Sequence, residues 1–98
     1  MVGIVLFVGA MIAVAQKSVV ENGKEVYATQ KCALCHSISG VGGEKMPLDS
    51  VGSRLKSEEI RKWIQTPKQM KGDTTMKAYP NLPAKALNDL TAYLMTLK

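Results

Sequence analysis

The sequence predicts an all-α domain of three main helices joined by long loops. Three observations lead there. Apolar residues recur three and four positions apart in three separate stretches, the mark of amphipathic helices. No stretch alternates apolar and polar residues for long enough to form a strand. Glycines and prolines gather between the periodic stretches, in segments 39–53 and 66–82.

The chain opens on an apolar run, VGIVLFVGAMIAVA, at residues 2–15. It is shorter than the roughly 20 residues a membrane-spanning helix needs. It suits the apolar region of a signal peptide, and Ala13-Val14-Ala15 supplies an A-x-A cleavage signature, although no Lys or Arg precedes the run. Residues 1–15 are therefore expected to be a signal peptide or an N-terminal membrane anchor, and residues 16–98 the domain proper. The expected location is outside the cytoplasm, in a periplasm or at the outer face of the cytoplasmic membrane.

The first helix is expected over Val19–Lys31, where Val19, Gly23 and Tyr27 fall four apart with Val20 and Val26 beside them. Segment 39–53, SGVGGEKMPLDSVGS, is too rich in glycine for long regular structure. The second helix is expected over Ser57–Gln65. Ser57 is a favourable N-cap, Glu58 and Glu59 stand in the first turn, and Ile60, Trp63 and Ile64 form one face. Pro67 pushes Thr66 out of the α region and stops it there. Segment 66–82 reads as a second loop. The last helix opens at Pro83, and Leu87, Leu90, Leu94 and Leu97 mark its buried stripe beside Tyr93.

The first helix runs into Cys32-Ala33-Leu34-Cys35-His36, which holds both cysteines and the single histidine. A zinc site needs about four ligands, and no second Cys/His group exists. A thioredoxin-type dithiol needs a βαβ setting. A disulfide here closes too small a loop to stabilise much. C-x-x-C-H is the signature of covalent haem c attachment. Cysteines three apart on a helical turn share a face and can reach one porphyrin edge, and His36 follows to bind iron. A haem also supplies apolar bulk to a domain with one Trp and, after residue 15, no Phe.

A second axial ligand would make such a site an electron carrier rather than a ligand-binding one. Met95 lies on the last helix, where core filling explains it. Met46 precedes Pro47 in the first loop. Met70 and Met76 lie in the second, where packing gives little reason for a Met, so either could ligate iron.

Together these features resemble the small monohaem class I c-type cytochromes, over essentially the whole of residues 16–98. GKEVY (Gly23–Tyr27) is similar to the family's N-terminal helix, where a Gly lets the terminal helices cross closely against an aromatic. LNDLTAYLMTL (Leu87–Leu97) is similar to its C-terminal helix. The resemblance implies a fold wrapped around one haem. MKAYP (Met76–Pro80) resembles the Met-x-x-aromatic-Pro ligand segment, which selects Met76. PLDSVGSRL (Pro47–Leu55) resembles the proline loop, which implies that the Pro47 carbonyl accepts a hydrogen bond from His36. Met46 stands where many relatives place Gly. The same resemblance implies that Trp63 points its indole N–H at a haem propionate and that Arg54 neutralises one.

The implied activity is single-electron transfer between respiratory redox proteins, without enzymatic turnover. A haem c subunit of a larger oxidase or reductase is the alternative, as is a haem c protein with an open sixth position. The formal charge is +5, with 13 basic and 8 acidic residues, all after residue 15. The basic residues are scattered, without the stripe and interleaved aromatics of nucleic-acid binding. The expected partners are redox proteins with acidic docking patches, met by a monomer, with membrane contact only through residues 1–15.

Overall fold

The computed structural model describes residues 17–43 and 46–98. The expected export segment, residues 1–15, lies outside them. Among the described residues no helix is long and apolar enough to cross a membrane.

Among the described residues, five helices and three short strands stand where three helices and loops were expected. Helix α1 spans Val19–Thr29, with the Ser18 hydroxyl accepting the Glu21 N–H at 3.0 Å. After a 3-10 turn at Cys32–Leu34 come β1 (His36–Ile38), β2 (Val41–Gly42) and β3 (Met46–Pro47). They form one sheet in the order β2-β1-β3, antiparallel between β1 and β2 and parallel between β1 and β3. Ser39 and Gly40 turn the β1–β2 hairpin with φ of 52° and 79°, the positive values that a two-residue type I′ turn requires. The Ser39 N–H donates to the Asp49 carboxylate at 3.0 Å. The fold is helical as expected, and what is corrected is the helix count and the absence of strands: strands of two or three residues are too short to leave an alternating pattern.

The remaining helices are α2 (Val51–Arg54), α3 (Ser57–Gln65), α4 (Pro67–Met70) and α5 (Ala84–Met95). Single-turn α4 lies within a segment read as loop, and α2 begins in the other and ends one residue past it. Helix α3 has the expected bounds, but its cap is Lys56 and not Ser57. The Glu59 carboxylate accepts the Lys56 N–H at 2.8 Å, which makes Lys56 the cap and Ser57 the first helical residue. Helix α3 does end before Thr66, and α4 then starts on Pro67, where a missing N–H is tolerated.

The core joins Val26 of α1, Val51 of α2, Ile60 and Ile64 of α3, and Leu87, Leu90, Tyr93 and Leu94 of α5. The crossing of α1 and α5 is close because residue 23 has no side chain. A Cβ there would overlap the Asp89 carbonyl and lie 2.6 Å from the Tyr93 Cβ. Tyr27 packs edge-on against Tyr93 with ring centres 6.0 Å apart. Beside them Asp89, only 4 % exposed, accepts from Asn22 Nδ2 at 2.6 Å and Lys85 Nζ at 2.7 Å.

Candidate haem site

The end of α1 aims the cysteines. Gln30 closes the helix and Lys31 takes a left-handed conformation, φ 60°, which turns the chain out of the helix axis. Leu34 N–H donates to Lys31 O at 3.1 Å and Cys35 N–H to Cys32 O at 3.2 Å, so the two thiols sit one tight turn apart. Both are free thiols, Cys32 half-buried and Cys35 exposed. Burial pushes the Cys32 thiol up from its ordinary pKa, against a smaller lowering by a backbone hydrogen bond.

His36 follows at the start of β1, and its Nδ1 lies 2.9 Å from the Met46 carbonyl oxygen. This corrects the expectation for Pro47. In the parallel pairing His36 faces Met46 and Ser37 faces Pro47, so the carbonyl presented to the imidazole belongs to residue 46. Pro47 still acts on the bond, because it restricts Met46 to extended backbone. A carbonyl only accepts. Nδ1 is therefore the protonated nitrogen, and Nε2 keeps the lone pair that a metal needs.

Two glycines that the sequence reading passed over press on this turn. Gly43 N–H is shared between Ala33 O at 2.8 Å and His36 O at 3.1 Å. A Cβ at residue 43 would lie 2.6 Å from Leu34 O and 2.8 Å from Cys35 Cα. Gly42 has φ of 116°. The Gly-Gly pair in the sequence was the available signal; its target, ten residues back in the chain, was not.

Met76 is half-buried in irregular backbone, with its N–H on Thr74 Oγ1 at 3.2 Å. It lines a cleft of about 370 Å³ with Gln65, Thr66, Pro67 and Pro80. Met70 sits instead at the end of α4. Lys68 Nζ donates to Thr74 O at 3.3 Å ahead of Met76, and Tyr79 ties the segment down behind it with two bonds. Its N–H donates to Ile64 O at 2.9 Å and its hydroxyl to Gln30 O at 3.0 Å. The Tyr79 hydroxyl is pushed up in pKa by burial first, then by the neighbouring Cys32 and Cys35. The loop with Met76 and the turn with the cysteines therefore meet at Tyr79. Trp63 is half-buried on α3, and Arg54 is exposed at the end of α2. Neither forms a side-chain hydrogen bond with the cysteine turn among the described residues.

The Tyr27 hydroxyl is buried without a partner among the described residues. Its pKa is raised to about 12, by burial first and then by Cys32 and Tyr93.

The residues fit a c-type haem on the chemistry of the donor set. Two thiols one turn apart adjoin an imidazole whose Nδ1–H is engaged and whose Nε2 is available. Fold and donor set together define a small haem-binding domain.

The cytochrome c family model matches residues 20–98, and the chain belongs to that family. Membership implies haem c with its iron and haem-based electron transfer. The chain is also similar to the cytochrome c oxidase subunit 2 of Alkalihalophilus pseudofirmus. The two are 28 % identical over 91 residues, covering 84 % of this chain and 27 % of that protein. The chain thus spans about a quarter of the relative's length.

Proposed function

We propose that this domain carries single electrons between redox proteins through one haem held covalently by Cys32 and Cys35, with His36 and Met76 as the iron's axial ligands. The observation that carries the reading is the His36 Nδ1–Met46 O bond of 2.9 Å beside the paired thiols. When bound, a haem supplies a one-electron iron couple. The chain's own residues do the rest. Met46 O fixes the imidazole tautomer and raises its basicity. Gly43 holds the cysteine turn. Met76 offers a soft thioether, which favours the reduced state and raises the potential. Trp63 and Arg54 are assigned to the propionates, as donor and as counter-charge.

With both axial positions filled the domain turns over no substrate of its own. It acts as a monomer outside the cytoplasm, delivered there by residues 1–15, and its net positive charge favours acidic redox partners over nucleic acid. A second reading is favoured by one observation: the relative is an oxidase subunit, so the domain would serve within such a complex rather than as a free shuttle.

Intact mass and the ferric spectrum of the holoprotein test the proposal. Mass should rise by one haem, and a weak near-infrared methionine–iron band should be present. Met76→Ala should abolish that band and let the reduced protein bind carbon monoxide, the behaviour of an open sixth position. A protein without added haem mass overturns the function. A band that survives Met76→Ala moves the ligand to Met70.

A further inference from the structure

We infer that Tyr79 is a positioning residue, whose hydroxyl bond to the Gln30 carbonyl holds the Met76 segment against the cysteine turn and keeps the thioether in place. The inference rests on Met76 as axial ligand. It starts from where the two ends of the bond lie. Gln30 is the cap of α1, two residues before Cys32, and Tyr79 is three residues after Met76. The 3.0 Å bond therefore joins the segment that anchors one face of the haem to the segment that supplies the other. Among the described residues no other side-chain hydrogen bond links segment 71–83 to the chain from α1 through β2.

The rest of Tyr79 is held as firmly. Its N–H is on Ile64 O at 2.9 Å, its ring packs against the core, and Lys77 Nζ lies 5.3 Å from the ring centre. Tyr79 thus links the end of α3, through its backbone N–H, to the end of α1, through its hydroxyl. By contrast, the backbone on either side of it is irregular and largely exposed, the kind of segment that opens locally without global unfolding. Each opening would lift Met76 from its place. A phenylalanine would preserve the ring packing and remove only the tether.

The test is imidazole binding to the oxidised holoprotein, whose rate reports how often the Met76 segment opens. Tyr79→Phe should bind roughly 2- to 10-fold faster than wild type, the loss of one neutral hydrogen bond. Asp89→Asn, which weakens the α1–α5 crossing at a distance from the segment, should bind at the wild-type rate. Equal rates in Tyr79→Phe and wild type overturn the inference, as does an equal acceleration in Asp89→Asn, which would mark general loosening. In wild-type protein the Tyr79 amide should exchange more slowly than those of Lys77 and Ala78; equal exchange also overturns it. Met76→Ala separates the two readings. If it abolishes the near-infrared band while Tyr79→Phe binds imidazole at the wild-type rate, the brace alone fails. If the band persists in Met76→Ala, the ligand assignment fails and the brace with it.

Discussion

A methyl group added at Gly43 would crowd Leu34 O and Cys35 Cα, at 2.6 and 2.8 Å. Both are backbone atoms of the turn that carries the cysteines, so relief requires moving the turn itself. Gly43→Ala should lose about 1–3 kcal/mol of stability, the range for overpacking, and should lower haem incorporation. Urea unfolding and the haem-to-protein ratio check this. Tyr27 works in the opposite direction. Its buried hydroxyl has no partner among the described residues, so Tyr27→Phe should be neutral or more stable by up to about 1 kcal/mol at pH 7. The pH profile sharpens the test. A tyrosine at about 12 in the folded state and about 10 in the unfolded chain contributes stability that is intact below pH 10 and lost as pH rises toward 12. Urea midpoints at pH 9 and pH 11 should therefore fall less in Tyr27→Phe than in wild type. The chemistry of Cys32, Cys35 and His36 was legible because it is local. The partner of His36 was not. A carbonyl ten residues away is chosen by strand register, and a shift of one residue moves the role from Pro47 to Met46.

The α1–α5 crossing has both a steric condition and an electrostatic one. Gly23 meets the first, and Asp89 between Asn22 and Lys85 meets the second. The hydrogen bond from Lys85, then that from Asn22, holds the Asp89 carboxyl below its ordinary range. A depressed folded value contributes stability above the unfolded pKa of about 4 and loses it as pH falls through the folded one. Asp89→Asn should be less stable than wild type at pH 7, and the gap should close below pH 4, as thermal melts at the two pH values would show. Helix ends with a local cause were readable in advance, such as the stop before Pro67. The sheet was not, because strands of two and three residues are defined by their partners across the hairpin and not by their own pattern. The cap of α3 fell on Lys56 and not on Ser57 for a similar reason, a side chain three residues ahead of it.

At the scale of the whole molecule the net charge of +5 governs encounters rather than folding. Association with an acidic redox partner should slow several-fold as salt shortens the reach of that charge, with dissociation changing less; stopped-flow rates at low and physiological ionic strength check this. The crossing helices bear on how the molecule comes to exist. Asn22 and Asp89 are 67 residues apart, so their contact closes a loop around most of the described chain. Such closure carries an entropy of about 4 kcal/mol beyond a constant, and contacts this distant form slowly. A chain emerging from its N-terminus presents Cys32 and Cys35 long before α5 is available to seal the fold. The order of synthesis therefore leaves both thiols fully open before the last helix docks on Gly23, and docking leaves Cys35 exposed while Cys32 becomes half-buried.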